Sequence, residues 1–438
     1  MNIIILGAGH VGTSLINYLT CQEKNDITVI DNNVNRLNEL NQHLDIKTIE
    51  GNGCYPDILE QANANNTDLL LAVTNSDEIN MLACEFAHTL FRIPKKIARI
   101  KYINYLNRPE IFNNLIHIDV FIKPEKLVKN HLKNLIEFPS TVRVADFKIN
   151  EMQIFSVRAK TRIDLAEQLH EFHSQTKKRL VAVFHNKKAI PVNDETVIQE
   201  DDEILLMAER QQIKPILKSF GYTDKFANKH IVIAGGGNIG FHLAKSIKLK
   251  HNVKIIEKDN DRCKYLSQNL DNVVVFYGDT TDKNLLTAST VHSADIYIAL
   301  TDNDSTNITS SLLAKKLGAK KVITLINNID IANLPFTTEI DCIVTPQMIM
   351  INYLLYYIER KEAINICYTT HDMHIAEVSG TSYKTLHKKN ERYKDIKILA
   401  VIRDDQIIFV DNEFAIDPKD RIFILCKNII KKDQVSSL

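Results

Sequence analysis

Short apolar runs alternate with amphipathic stretches along the first 137 residues. Residues 3–6, 27–30, 47–50, 69–73, 96–100 and 120–122 read as strands, and Val11, Leu15, Ile16 and Leu19 lie on one helical face between the first two. Buried strands alternating with helices predict a parallel sheet covered on both sides. A helical stretch over 124–137 follows, and then the texture changes. From 138 to 222, strand-like runs at 149–158, 180–185, 189–192 and 204–208 are separated by turn signals such as Asn186-Lys187 and Asp201-Asp202-Glu203. This part predicts a small α+β module.

The pattern is then written a second time. Gly7-Ala8-Gly9-His10-Val11-Gly12 recurs as Gly235-Gly236-Gly237-Asn238-Ile239-Gly240 at an offset of 228. Gly51, Asp68, Thr74 and Asn80 pair with Gly278, Asp295, Thr301 and Asn307 at 227, residues 119–124 with 341–346 at 222, and 180–184 with 398–402 at 218. An unbroken order with a slowly shrinking offset is what loop deletions in a duplicated chain leave behind. The second small module carries runs at 398–402, 407–410 and 422–426, with Arg403-Asp404-Asp405 and Pro418-Lys419-Asp420 as turns. Four domains are expected, at 1–137, 138–222, 229–360 and 361–438, with a polar linker at Thr223-Asp224-Lys225 that takes in Asn228 and Lys229.

Length agrees: 438 residues at roughly 150 per domain allow two to four. Apolar residues at 45% and charged residues at 25% belong to a globular chain that buries real cores. Lys plus Arg and Asp plus Glu both number 54, so no net field draws the molecule to nucleic acid or an anionic membrane. The opening residues carry no basic segment and turn at Gly7, so neither a signal peptide nor an anchor is expected, and no apolar run approaches the ~20 residues of a spanning helix. Seven scattered cysteines without a C-x-x-C pair suggest reduced thiols in the cytoplasm and argue against structural zinc.

The glycine motifs carry the chemistry. Each follows a strand, opens a helix, and is followed by an acidic residue closing the next strand: Asp31, 19 residues after Gly12, and Glu257, 17 residues after Gly240. In a dinucleotide fold the first glycine permits the tight turn, the second lets backbone approach a pyrophosphate, and the third lets helix pack on strand. The helix N-terminus supplies N–H groups to the phosphates, and a carboxylate at Asp31 or Glu257 accepts ribose hydroxyls and repels a 2′-phosphate, favouring NAD over NADP. Two tandem Rossmann-like, doubly wound α/β domains are the predicted frame, each followed by its own small module. Lys258 and Arg262 make the second pocket less regular than the first. Thr74-Asn75-Ser76-Asp77 and Thr301-Asp302-Asn303-Asp304 fall at the carboxyl end of a strand, where ligands lie in such sheets, and read equally as helix caps. Arg99 is expected to reach a phosphate, whereas Thr324, taken as its counterpart, carries no charge.

No nucleophile, metal cluster or general-base constellation accompanies these turns; His10, Cys54 and Cys84 read as packing residues. Two ligand folds without a reaction centre suggest a sensor. The helical stretches 124–137 and 346–360, the latter with Met348, Met350, Leu354, Leu355, Tyr356 and Tyr357, are either a subunit interface or intrachain core.

Over essentially its whole length the chain resembles the TrkA family, the cytoplasmic regulatory subunits of bacterial Trk potassium uptake systems, built from two RCK modules (regulators of potassium conductance). The motifs that carry the likeness are Gly7-Ala-Gly9-x-Val-Gly12, Asp31, Gly51-Asn-Gly with Asp57, Val73-Thr74-Asn75-Ser76-Asp77-Glu78-x-Asn80-Met81, Ala98-Arg99 and the second glycine turn. The resemblance implies binding of NAD(H) and, as in many relatives, ATP or ADP. It also implies a homo-oligomeric ring, a tetramer, on the inner face of the membrane, and control of a Trk-type potassium-conducting subunit. It implies a first site of Gly7, Ala8, Gly9, His10, Val11, Gly12, Asp31, Thr74, Asn75 and Arg99, and a second of Gly235, Gly237, Asn238, Ile239, Gly240, Glu257 and Thr301, with no catalytic or metal-binding residue. The competing readings are an NAD-linked oxidoreductase with unrecognised active residues and a nucleotide-sensing scaffold for another transporter.

Overall fold

The computed structural model of the chain describes residues 1–20, 25–102, 105, 108, 110, 115–138, 140–146, 152–160, 163–164, 178–185, 188–190, 196–222, 228–332, 334, 339–358, 364–370, 373–380, 397–404, 406–408 and 414–426. The first sheet runs through β1 (Asn2–Leu6), α1 (His10–Thr20), β2 (Asp26–Asp31), α2 (Val34–His43), β3 (Lys47–Glu50), α3 (Pro56–Gln61), β4 (Leu69–Ala72), α4 (Asp77–Thr89), β5 (Lys95–Arg99) and β6 (Val120–Ile122). All strands are parallel, in the order β3-β2-β1-β4-β5-β6, so the order reverses between β1 and β4. Ile3, Ile4, Ile5 and Leu6 are all buried, as a strand covered on both faces requires. Helix α5 (Pro124–Glu137) follows.

The first small module holds β7 (Thr141–Asp146), β8 (Met152–Arg158), β9 (Lys178–His185), β10 (Lys188–Ile190), β11 (Glu203–Glu209) and α6 (Arg210–Ser219); its antiparallel sheet is ordered β10-β9-β11-β8-β7. The second parallel sheet repeats the first: β12 (His230–Ala234), α7 (Asn238–Ile247), β13 (Asn252–Glu257), α8 (Asn260–Asn269), β14 (Val273–Tyr277), α9 (Lys283–Ala288), β15 (Ile296–Ala299), α10 (Asp304–Leu317), β16 (Lys321–Leu325), β17 (Cys342–Val344) and then α11 (Pro346–Ile358). Its order is β14-β13-β12-β15-β16-β17. The last sheet contains β18 (Ile364–Thr370), β19 (Met373–Ser379), β20 (Lys397–Arg403), β21 (Gln406–Ile408) and β22 (Arg421–Cys426), ordered β18-β19-β22-β20-β21.

Three features of the fold go beyond the expected layout. First, the chain forms two compact units, and the crossover helices do not stay with the sheets that precede them: residues 347–365 group with 1–125, and residues 126–346 group with 366–429. In the first unit Ser14 Oγ donates to Gln347 Oε1 at 3.3 Å and Lys95 Nζ donates to the carbonyl of Tyr357. In the second, Lys229 Nζ donates to the carbonyl of Ile136, and Lys321 Nζ to that of Thr141 at 2.7 Å. Lys229, expected in the linker, is buried at 1% exposure because its ammonium closes the carbonyl end of α5; residues 223–227 lie outside the described ones. Second, Val128, Leu132, Leu135 and Ile136 of α5, and Met350, Ile351 and Leu354 of α11, are buried within the single chain. The apolar faces of both helices are thus intrachain core; the side chains of Leu355 and Tyr356 lie outside the description. Third, the two small modules are not independent. Met152, Ile154, Phe184, Leu205 and Met207 of one share a single apolar cluster with Ile375, Leu399, Ile402 and Phe423 of the other, since each sheet has an apolar face that needs a cover.

Candidate functional site

Each glycine turn sits at the carboxyl end of its first strand, where the strand order reverses. Gly7 and Gly235 adopt φ of +102° and +104°, open to glycine alone without strain. A Cβ on Gly12 would meet the Gly7 carbonyl oxygen at 1.8 Å, and one on Gly240 the Gly235 oxygen at 2.1 Å, so the third glycine is dictated by helix-on-strand packing. A Cβ on Gly9 or Gly237 would meet nothing within 4 Å. The middle glycines therefore border open space beside the amino ends of α1 and α7, a cradle that fits a pyrophosphate held by first-turn N–H groups.

The carboxylates that close β2 and β13 hold these turns in place. Asp31 Oδ2 accepts from the Ala8 N–H at 2.6 Å and Oδ1 from the Asn33 N–H at 2.8 Å; Glu257 Oε2 accepts from the Gly236 N–H at 2.7 Å and Oε1 from the Asp259 N–H at 3.0 Å. Each oxygen retains a lone pair for a ribose hydroxyl. Sequence reasoning assigned only that ligand role, and the tie between carboxylate and glycine turn comes from the tertiary fold.

On the other side of each turn lies a threonine. A Cβ on Gly7 would come within 3.0 Å of Thr74 backbone, and one on Gly235 within 2.9 Å of the Thr301 nitrogen. Asn80 Oδ1 accepts from the Thr74 N–H and hydroxyl at 3.1 and 2.7 Å, while its Nδ2 donates to the Arg99 carbonyl at 2.8 Å. Asn307 repeats this with Thr301 at 2.9 and 2.6 Å and with the Leu325 carbonyl at 3.0 Å. The threonine hydroxyls are thus engaged with these asparagines. The capping reading also holds, for Ser76 Oγ accepts from the Ile79 N–H and Asn303 Oδ1 from the Thr306 N–H. Asp77 and Asp304 brace the loops after β5 and β16 through the N–H groups of Lys101 and Tyr102, and of Asn327 and Asn328.

This register corrects the pairing of Arg99. Ala72 faces Ala98 and Ala299 faces Thr324 across matching strands, so Thr324 corresponds to Ala98 and the counterpart of Arg99 is Leu325. The Thr324 hydroxyl is buried against Ser311 Oγ at 2.7 Å, and Leu325 is buried. Arg99 is half-buried, its Nε lacking a hydrogen-bond partner among the described residues; burial lowers its pKa, opposed by Glu125 and Asp77. Lys101, missed in the sequence, reaches toward the exposed Asn75 at 3.4 Å, and its ammonium pKa is lowered by burial and then by Arg99. Gly237 and Asn238 are exposed, Ile239 is partly buried and Val11 is buried; His10 opens α1, with its side chain outside the description.

Cys54 and Cys84 are buried, and burial pushes the Cys84 thiol above its ordinary range, which suits packing rather than nucleophilic chemistry. Among the described residues no group of three His, Cys, Asp or Glu could hold a metal ion, and no helix is long and apolar enough to cross a membrane. A cleft of about 700 Å³ lined by His88, Thr89, Lys96, His117 and Asp119 opens at the amino ends of β5 and β6, away from the glycine turn.

The TrkA-N domain family matches residues 3–124 and again 231–346. The chain is 42% identical over 371 residues to a Trk system potassium uptake protein TrkA of Halomonas elongata, covering 84% of this chain and 81% of that one. It is 34% identical to the protein of the same name from Vibrio alginolyticus, covering 98% and 96%. Among solved structures, the GsuK RCK domain overlays with a TM-score of 0.64 at 18% identity, covering 99% of this chain and 93% of that one, and a GsuK channel bound to NAD does so with the same score, covering 99% and 77%.

Proposed function

The chain belongs to the TrkA family of Trk system potassium uptake proteins, and from that premise we propose that its two glycine-turn sites bind NAD(H) or adenine nucleotides and pass their ligand state to a potassium-conducting membrane subunit. It is a regulatory protein of potassium transport, and the oxidoreductase reading falls away because its relatives are transport proteins rather than catalysts. The observation that carries the reading is the doubled cradle: an unobstructed middle glycine, a helix amino end and a strand-end carboxylate, built twice in one chain. The GsuK channel, of like fold, is known bound to NAD and to ADP, which supports both ligand classes here. In the first site Gly7 to Gly12 would hold the phosphates, Asp31 the ribose, and Thr74, Asn75 and Arg99 the far side. In the second, Gly235 to Gly240, Glu257 and Thr301 would do so without a cation at the Arg99 position. A homo-tetrameric ring on the cytoplasmic face of the membrane subunit would give each ligand several copies through which to act.

Titration calorimetry of the purified chain with NAD, NADH, ATP and ADP tests this, beside Gly9→Glu and Gly237→Glu, which place a carboxylate in each cradle at positions where a Cβ meets nothing within 4 Å. Two binding events, each abolished by its own substitution, are expected. Failure of all four ligands to bind would overturn the reading.

A further inference from the structure

The two sites are duplicates in backbone and differ in charge, and the differences gather at one point. In the first copy the Thr13 hydroxyl donates to the Ala8 carbonyl at 3.2 Å. Phe241 stands in place of Thr13 in the second copy, which leaves the matching carbonyl, that of Gly236, to another donor: Arg262 Nε donates to it at 2.7 Å. The guanidinium carbon lies 4.8 Å from the Tyr265 ring centroid and 5.7 Å from that of Phe241. The helix caps Asn33 and Asp259 accept from the N–H groups of Arg36 and Arg262, so these two arginines correspond, and Glu39 corresponds to Tyr265. Arg36 and Glu39 are both exposed, and among the described residues no ring holds the Arg36 guanidinium.

Gly236 thus binds the ribose-end carboxylate of Glu257 through its N–H and Arg262 through its carbonyl, immediately before the open cradle at Gly237. Both terminal nitrogens of Arg262 have no protein partner among the described residues. A guanidinium fixed by one hydrogen bond and a stacked ring, with its fork unspent, is pre-organised for an oxyanion and loses little freedom on binding one.

We propose that Arg262 is the anion-recognising residue of the second site, so that this site selects adenosine 5′-phosphates by the phosphate next to the ribose, whatever follows it. The first site has its cations, Arg99 and Lys101, on the opposite rim beside β5, where they meet the distal end of a ligand. The inference rests on the reading of the second glycine turn as a nucleotide site.

The test uses the full chain carrying Gly9→Glu, which confines binding to the second site. AMP, ADP and NAD are titrated against it, with adenosine followed by ligand-observed NMR, and each is repeated with Arg262→Gln and Arg262→Lys. AMP, ADP and NAD are expected to bind within about threefold of one another, and Arg262→Gln to weaken all three roughly tenfold or more while adenosine is unchanged. Arg262→Lys, which keeps charge and loses the fork, should fall between. The loss of AMP affinity with added salt should also flatten in Arg262→Gln. Equal weakening of AMP and adenosine would make Arg262 a prop for the turn and overturn the proposal, as would unchanged AMP affinity. If no nucleotide binds while Arg262 is intact, the nucleotide reading of this site fails first, before any arginine variant is compared.

Discussion

At the residue scale, glycines of one motif do opposite jobs. Gly12 and Gly240 are held by packing, since any Cβ would enter the first glycine's carbonyl oxygen. Gly12→Ala is expected to destabilise the chain by about 1–3 kcal/mol, read as a lowered urea midpoint. Gly9→Ala, facing open space, should leave that midpoint unchanged while weakening nucleotide binding. Asn80 and Asn307 are fully buried, and each ties a threonine loop to the end of the next strand through both its oxygen and its nitrogen. Asn80→Ala strands buried backbone groups and should cost about 2–3 kcal/mol in the same measurement.

At the scale of elements, the second sheet carries an acid-sensitive joint. His251, just before β13, accepts the Lys229 N–H at Nδ1, and its pKa is lowered to about 4 by burial first and then by Lys229 and Lys250. An imidazole in the unfolded chain titrates near 6.5. Between those values the unfolded chain holds a proton that the folded one lacks, so stability falls as pH drops through the window from 6.5 to 4 and is unaffected by this group above it. His230, at the start of β12, is shifted the same way by burial and Lys254, which adds to the trend. An NMR titration should find His251 neutral down to about pH 4, and Lys229→Met should move its midpoint upward. A midpoint that stays near 6.5 in the intact chain would contradict the buried joint.

At the scale of the whole molecule, the shared core of the two small sheets makes them one cooperative element. Phe423 is fully buried in that core beside residues of the first module. Phe423→Ala should cost about 3–5 kcal/mol and reduce hydrogen-exchange protection in β8, β9 and β11 as well as in β20 and β22. Loss confined to the second module would mean that the two sheets open separately. Regulation obeys a limit of its own: a ligand shifts a ring only by its preference for one state, and a hundredfold preference is worth about 2.7 kcal/mol per site. In the proposed ring, with several sites, modest preferences would be enough.

The chain by itself determined the local and the repeated. Strand positions followed from runs of apolar residues, the span of α5 from the helical stretch that follows the last of them, and the glycine turns with Asp31 and Glu257 from spacing, because each depends on neighbours within one strand, helix or turn. The duplication was legible for the same reason, as order along the chain survives loop deletions. What only the tertiary structure decided involves residues far apart. The crossover helices group with distant sheets, Lys229 leaves the expected linker to close a helix end, and the small sheets need each other's apolar faces. The counterpart of Arg99 was misplaced by one residue because strand register is set by pairing across the sheet, and pairing is not written in sequence offsets. Arg262 was visible as a charge near Glu257, but its use depends on a carbonyl 26 residues away that is open because Phe241 replaced a hydroxyl donor.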